Sequence, residues 1–332
     1  MAKTTNFAGA YFNSDVRHQV YLQRYNTGVV RRMLALLNRN DAALMARIQA
    51  LDFGSMTLPR LEAQLVQLRE MQANLAKQLK DELAGHIGEI SAYEAQFVTE
   101  AINTTFNVRW DGPTQDQVRA AAMSRPFQGV HLKFANLSEQ MDEFGRRRGD
   151  LIRDAIRQGF LQGSSVDDLV RQLRGSRAQG YRDGLFEGSR RVTETIVRTA
   201  LNHTATSARE EVYKANAHQM TGVQWISVLD ARTSSICQDL NNQVFKVDEG
   251  PRPPAHPNCR STTIPVFKGE EPIKHPSYSE WLGKQDERTQ RSVLGVNGFA
   301  AYQGGNTPTR FADNPGTAYT LDKLTTLDSS GL

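Results

Sequence analysis

The sequence predicts an α+β protein that is mostly helical, with long N-terminal helices followed by a domain in which helices pack on a small antiparallel β-sheet. Three observations support this class. Apolar residues recur at helical spacing over most of the first 217 positions. Short β-prone runs bounded by turn residues begin only at Trp225. A chain of 332 residues is long enough for two domains.

The first predicted domain spans residues 1–110 and consists of long helices. Residues 15–51 predict two helical pieces that meet near Asp41. Residues 58–106 predict one or two long helices, in which three leucines repeat every seven positions: Leu61, Leu68 and Leu75. Because Gln72 interrupts this apolar seam, we expect a helix hairpin within one subunit rather than a coiled coil between chains.

The second predicted domain spans residues 111–296. Thr114 and Ser165 are predicted N-caps, since each precedes a run of helical spacing. A long helix is predicted over 189–217, where the spacing of apolar residues places His203 on the core-facing side. The sheet is expected from three β-prone runs, at 225–229, 244–247 and 262–267.

The last predicted region is a flexible C-terminal tail at residues 297–332. From Tyr302 onward it is rich in Gly, Thr, Pro, Asn and Asp and has few large apolar residues. This composition predicts a segment that is disordered alone and orders against a partner.

Composition indicates where the protein folds. The first residues show no basic segment followed by an apolar one, so we expect no secretory leader. No apolar run approaches the roughly 20 residues that cross a bilayer, so no membrane association is expected in the assembled state. Two cysteines in a chain of this length predict reduced thiols and folding in the cytoplasm.

The net charge of +4 conceals one basic segment. Between Arg146 and Arg209 there are 13 Arg, no Lys and 7 acidic residues. Arginine makes planar, bidentate contacts to phosphate and carboxylate, so this segment suits DNA or an acidic protein surface. The alternative is a solvated helical face with local ion pairs. The candidate contact residues are Arg146, Arg147, Arg148, Arg153, Arg157, Arg171, Arg174, Arg190 and Arg191.

Cys237, His256 and Cys259 are candidate ligands of a metal, with zinc as the candidate cofactor. His-x-x-Cys supplies two ligands from one turn, and Cys237 would arrive from a distant segment. Zinc would stabilise a β-rich segment too small for a core of its own. The fourth-ligand candidates are Asp230, Asp239, His203 and His275. The alternative is that both cysteines are small buried apolar residues and that His256 hydrogen-bonds a loop carbonyl.

Two catalytic interpretations were considered for the same region. A Cys-His nucleophile pair would need an orienting group, for which Asn258 or Asp239 could serve, but no hydrolase signature surrounds either cysteine. A metal-dependent nuclease would need a carboxylate cluster with a positioned His, and the sequence suggests none. The protein is therefore expected not to be an enzyme.

Two ordered motifs carry a family resemblance. They read Leu229-Asp230-x-Arg232-Thr233-Ser234-x-x-Cys237 and Pro253-Pro254-x-His256-Pro257-x-Cys259-Arg260-Ser261. With Pro126–Val130, Arg198-Thr199-Ala200 and Tyr278–Leu282, they resemble the phage Mu F-like head morphogenesis family over residues 120–296. Some relatives carry Cys where this chain has Ser234, and this departure removes the most obvious fourth ligand.

The resemblance implies a minor head protein of a tailed bacteriophage. Such a protein would lie inside the virion near the portal, with portal, capsid or scaffolding proteins and double-stranded DNA as partners, after assembly in the host cytoplasm. Its mechanism would be binding rather than turnover. An Arg beside Asp230 is expected to form a bidentate pair that fixes a loop. The structural motif residues are Asp230, Arg232, Thr233, Pro254, Pro257, Arg260 and Arg198. The alternatives are a DNA-binding module without portal association, or a cysteine- or metal-dependent hydrolase or nuclease.

Overall fold

Helices account for most of the fold, and one small sheet accompanies them. A computed structural model describes residues 7–126, 136–228, 230, 232–274, 276–306 and 318–329. The described helices are α1 (Phe7–Gln49), α2 (Leu58–Phe106), α3 (Gln115–Ser124), α4 (Leu137–Leu161), α5 (Val166–Arg174), α6 (Leu185–Ala215), α7 (Ser235–Leu240), α8 (Tyr278–Gly283), α9 (Glu287–Gln303) and α10 (Leu321–Ser329). The described strands are β1 (Met220–Ile226), β2 (Val244–Phe245) and β3 (Thr262–Phe267). The predicted class, mostly helical α+β, is confirmed.

The three strands form one antiparallel sheet in the order β2-β1-β3. Strand β1 lies in the middle, where Val223 is opposite Phe245 of β2 and Pro265 of β3. Gly222 allows the close approach of β2, because a Cβ at this position would lie 2.4 Å from the backbone oxygen of Phe245.

The predicted bounds of the first strand were wrong. The sequence predicts it over 225–229, whereas β1 spans Met220–Ile226. Its first half contains Gly222 and the polar Thr221, so β propensity alone does not predict a strand there. Pairing with the neighbouring strands determines where β1 begins. The chain leaves the ladder at Ser227, whose N–H donates to the side chain of Asn241 at 2.9 Å.

The two N-terminal helices are continuous. The predicted break near Asp41 is wrong, because α1 runs unbroken through this position. The sequence from 29 to 49 contains neither Gly nor Pro, so no residue there opposes the helix. Helix α2 likewise continues through Gly85 and Gly88, where the sequence suggests a bend. No described helix is both long enough and apolar enough to serve as a membrane span.

Internal contacts divide the chain into two units. The first, which we call the mixed unit, comprises Met1–Gly28, Ile87–Lys133 and Arg198–Leu332. The second, the helical unit, comprises Val29–His86 and Phe134–Val197. Helices α1, α2 and α6 therefore each contribute residues to both units. The domain limits at residues 110 and 296, which rest on sequence pattern, stay a prediction.

The helical unit has an apolar core drawn from α1, α2, α4, α5 and the start of α6. It includes Leu44, Ile48, Leu61, Leu65, Ile152, Ile156, Leu169 and Phe186. Beside these residues Arg148 is buried at 3% exposure and forms an ion pair with Asp41. Its Nε donates to the Gln72 Oε1 at 3.0 Å, which explains why a polar residue interrupts the leucine seam. The prediction of Arg148 as a DNA or portal contact is therefore corrected.

Five ionisable side chains are buried together in the mixed unit, and we call them the ionic centre: Asp15, His18, Glu94, Arg209 and Asp328. The Arg209 Nε donates to Glu94 and its Nη1 to Asp15, each at 2.5 Å. The His18 nitrogens lie 2.7 Å from Glu94 and 2.7 Å from Asp328. Buried charges are tolerated when each has a partner of opposite sign, as here.

Part of the predicted C-terminal tail is a helix that packs within the mixed unit. Leu324 of α10 is fully buried, and Asp328 accepts a hydrogen bond from the Tyr93 hydroxyl at 2.5 Å. Tyr319, just before α10, donates its N–H to the backbone oxygen of Arg24 at 3.1 Å. Thus the described residues 318–329 find their packing partners in their own chain, while residues 307–317 lie outside the described part.

Candidate metal centre

Cys237, His256 and Cys259 meet in the mixed unit, and we call these three residues the thiol centre. Cys237 lies in α7, whereas His256 and Cys259 lie in the loop between β2 and β3. Ser234 caps α7 by accepting the Cys237 N–H at 3.3 Å, which fixes the first turn of this short helix. Trp225 of β1 belongs to the same buried cluster as both cysteines. The three ligand candidates therefore come from two segments, a short helix and a loop.

The polar atoms of the thiol centre converge. The Cys237 Sγ lies 3.7 Å from the Cys259 Sγ and 3.2 Å from the His256 Nε2. The Ser234 Oγ lies 2.8 Å from the same His256 nitrogen. Within the described residues, these three are the group whose Cys, His, Asp or Glu ligand atoms come close enough together to hold a metal ion.

The orientation of the His256 ring is fixed by the backbone. Its Nδ1 lies 2.8 Å from the Pro257 carbonyl oxygen, which can only accept a hydrogen bond. The Nδ1 is therefore the protonated nitrogen in the neutral ring, and the Nε2 lone pair points toward Cys237 and Ser234. This is the arrangement that a metal-binding imidazole uses, with the second nitrogen bound to a carbonyl.

The two thiols have different proton affinities. A hydrogen bond from Cys259 is the main cause that lowers the pKa of Cys237, and His256 and Ser234 act in the same direction. The same hydrogen bond, with burial, raises the pKa of Cys259. The neighbouring Cys237 raises the pKa of His256. The geometry therefore favours a thiolate at Cys237, which is the form that binds a metal or acts as a nucleophile.

Helix α6 braces the loop that carries His256 and Cys259. The Asn202 amide donates to the Cys259 carbonyl at 2.7 Å. The Thr199 hydroxyl accepts the N–H of Asn258 at 3.0 Å. Asn258 has a φ of 58°, in the left-handed region that Asn tolerates. Thr199 belongs to a motif that carries the family resemblance, whereas the Asn202 contact was missed because a buried Asn in a helix has no sequence signature.

The predicted fourth ligands that lie within the described residues, Asp230, Asp239 and His203, do not join the thiol centre. Asp230 is bound by Arg260 at 2.6 Å, and Asp239 is exposed. The His203 Nε2 lies 3.1 Å from the Arg125 carbonyl, and burial lowers the pKa of His203 to about 4. His275 lies outside the described residues. A polar atom that does approach is the Ser234 hydroxyl, 2.8 Å from the His256 Nε2.

The turn before α7 is held by a small network. The Arg260 guanidinium binds both oxygens of Asp230, at 2.6 and 2.7 Å, which is the predicted bidentate geometry. Arg232 is exposed, and its Nη2 is 3.7 Å from the same carboxylate. The Thr233 hydroxyl hydrogen-bonds the Val228 carbonyl. Ser234 is the α7 cap rather than Asp230 or Thr233, because the turn already uses those two side chains.

The remaining motif residues have simpler surroundings. Pro254 is buried beside the thiol centre loop, whereas Pro257 is exposed and offers its carbonyl to His256. Arg198 lies half-buried on α6. The turn predicted at Arg125–Gly129 falls mostly outside the described residues.

The arginine-rich segment lies in the helical unit except for Arg198 and Arg209, and many of its side chains face nearby acids. Arg146 contacts Glu143 and Asp150 within 3.2 Å, and Arg157 lies 3.4 Å from Glu62. Further pairs are Arg153–Asp150, Arg153–Asp154, Arg171–Asp168 and Arg190–Glu187. Arg174 stacks over the ring of Tyr181. The exposed candidates also include Arg147 and Arg191.

Comparison with known protein families gives a match for the region that contains the thiol centre. Residues 150–264 match the family described as Phage Mu protein F like protein. The matched region extends from within α4 to within β3 and includes Cys237, His256 and Cys259. No curated protein and no solved structure matches the chain.

Proposed function

We propose, from the match of residues 150–264 to the family described as Phage Mu protein F like protein, that the protein is a minor head component of a bacteriophage acting at the portal vertex. The family match is the observation that carries the proposal. The protein would enter the head in few copies during assembly and serve genome packaging or ejection. It acts by holding other molecules in place, not by turnover.

The arginine-rich segment supplies the contact surface in this proposal. Exposed guanidinium groups such as Arg147 and Arg191 suit bidentate binding of carboxylates on a partner protein. The neighbouring acids reduce the net positive charge of the segment, which weakens long-range attraction to a DNA backbone. This balance favours a defined acidic protein surface, and we therefore propose the portal rather than DNA as the main partner.

The test uses full-length chains, because truncation would remove buried residues. Deleting residues 1–106 would take Asp15, His18 and Glu94 from the ionic centre, and deleting 303–332 would take Asp328. Loss of portal binding by such a variant would then report unfolding. Charge reversal on the surface keeps the cores intact.

The experiment measures co-purification of the full chain with the portal protein of the same phage. We expect the wild type to bind the portal and the double variant Arg147→Glu, Arg191→Glu to lose most of this binding. The matched control is Lys77→Glu, which reverses another exposed cation of the helical unit. Absence of the protein from purified heads would refute the proposal.

A sequence-tolerant DNA-binding module is the second candidate, favoured by the exposed arginines of the same segment, such as Arg147 and Arg191. It predicts binding to duplex DNA without portal, with an affinity that falls steeply as salt rises. The same double variant and the same control distinguish the two candidates when duplex DNA replaces the portal.

A further inference from the structure

We propose that the thiol centre binds one zinc ion through Cys237, Cys259 and His256, with an oxygen at the fourth position beside Ser234. The assignment rests on the positions and chemistry of the donor atoms. It is independent of which partner the protein binds in the phage head, so either proposal can fail without the other.

The distances between the donor atoms fit tetrahedral zinc. Zinc binds sulfur at about 2.3 Å and imidazole nitrogen at about 2.0–2.1 Å. At tetrahedral angles two sulfurs are then about 3.8 Å apart, and a sulfur and a nitrogen about 3.5 Å apart. The observed separations are 3.7 Å between Cys237 and Cys259 and 3.2 Å between Cys237 and His256. For these two pairs, shifts of a few tenths of an ångström are needed, and the ligand atoms of all three residues lie within 4.8 Å of one another.

The second coordination layer is also in place. The His256 Nδ1–H donates a hydrogen bond to the Pro257 carbonyl oxygen, which leaves the Nε2 lone pair for the metal. Asn202 holds the Cys259 carbonyl, so this ligand is oriented by α6. Two thiolates and an imidazole form a soft donor set, which selects zinc over magnesium or calcium.

The surroundings explain why a metal would be useful. Among the described residues, the apolar cluster at this site contains four buried side chains, Trp225, Cys237, Ala255 and Cys259, with Ile236, Leu240 and Phe245 partly buried against them. It must hold α7 and a long loop against β1, and such a cluster supplies little stabilising burial. A bound zinc would add folding free energy at this point.

A Cys237–His256 nucleophile pair is the competing assignment for the same atoms. It is disfavoured by access, since Cys237 is 3% exposed, and by the presence of a second thiol 3.7 Å away. The His256 ring is oriented by a backbone carbonyl rather than by Asn258 or Asp239. A nucleophilic thiol would react with iodoacetamide in the native protein, whereas a zinc-bound thiolate would be protected.

The experiment measures zinc in the purified full-length protein by elemental analysis. We expect one zinc per chain in the wild type and at least a tenfold lower content in Cys237→Ser and in Cys259→Ser. Cobalt substitution of the wild type should give the intense visible bands of a tetrahedral site. It should also give a sulfur charge-transfer band, which the serine variants lack.

Ser234 provides a gain-of-function test. Ser234→Cys places a third thiolate beside His256, so zinc loss to a chelator should slow at least tenfold. The matched control is Ser235→Cys, which adds a thiol at the next, exposed position and should leave the rate unchanged.

A folded wild type without zinc or a cobalt spectrum, even after growth in zinc-supplemented medium, overturns the proposal. Rapid alkylation of Cys237 in that protein would support the nucleophile instead. Should the serine variants fail to fold, the wild-type zinc content and the comparison of Ser234→Cys with Ser235→Cys still test whether the thiol centre binds zinc.

Discussion

The ionic centre and the thiol centre both join distant segments of the mixed unit, but with different chemistry. In the ionic centre, His18 and Asp328 meet across 310 positions of the chain. In the thiol centre, Cys237 and Cys259 meet across 22. In the first, each cation is paired with two anions. The second directs three electron-pair donors toward one point, so it needs protons or a metal between them. A buried polar cluster that contains both cations and anions is thus stabilised by its own ion pairs, whereas one that contains only electron-pair donors depends on a bound ligand.

The pKa values in the ionic centre reflect this pairing of opposite charges. Burial disfavours the charged forms, but Glu94 and Asp328 outweigh it and raise the pKa of His18 to about 10. In the same way Arg209 and His18 overcome burial and lower the pKa of Glu94 to about 2. At Asp15 burial is the larger effect and raises the pKa despite Arg209. His18 and Glu94 are therefore charged near neutral pH through mutual pairing.

The largest expected effect comes from removing the shared cation of the ionic centre. Arg209→Met leaves Asp15 and Glu94 buried without their main partner, and breaking such a pair costs about 3–5 kcal/mol of unfolding free energy. Urea denaturation measures the loss. The matched control is Arg291→Met, which removes an exposed pair with Glu287 and should change stability by less than about 1 kcal/mol. Equal effects of the two variants would refute the buried network.

The next effect is a pH dependence carried by His18. Because its pKa is raised from 6.5 to about 10, its stabilisation is complete below pH 6.5 and is lost as the pH rises toward 10. The slope is at most about 1.4 kcal/mol per pH unit. The measurement is the difference in unfolding free energy between wild type and His18→Gln from pH 6 to 10, since other titrating groups cancel. A difference that stays constant over this range would contradict the assignment.

Sequence pattern predicted much of the helical fold and the members of the thiol centre. Helical periodicity and N-caps are local, so the caps at Thr114 and Ser165 were predicted and are confirmed. Cys and His are rare in this chain, so Cys237, His256 and Cys259 stood out by residue type alone. Whether they meet depends on the fold, and the family match covers all three.

The ionic centre could not be predicted in this way. Asp15, Glu94 and Arg209 lie on three helices, where charged residues usually face solvent, and no local pattern distinguishes a buried charge from an exposed one. Arg148 was misassigned for the same reason, because its burial depends on Asp41, more than 100 positions away. Tertiary pairing, not sequence composition, determines which arginines are available to a partner.

A smaller effect is expected where α10 meets the ionic centre. Asp328→Asn keeps a hydrogen-bond acceptor for Tyr93 but removes the charge that faces His18, at a cost of about 1–3 kcal/mol. Hydrogen exchange should show faster opening of residues 318–329. Asp322→Asn, an exposed change in the first turn of α10, is the control and should leave exchange nearly unaltered. Equal exchange in both variants would mean that Asp328 does not anchor this helix.

The smallest effect concerns the turn beside the thiol centre. Arg260→Lys replaces a two-pronged contact with Asp230 by a single one, and we expect a loss of about 1 kcal/mol, measured by urea denaturation. Zinc content should stay at the wild-type level, because Arg260 contributes no donor atom to the metal. Arg232→Lys, at an exposed position 3.7 Å from the same carboxylate, is the matched control and should be almost neutral. If Arg260→Lys instead released zinc, the turn and the metal ligands would be coupled. The Arg260–Asp230 pair would then be required for metal binding and not only for the conformation of the turn.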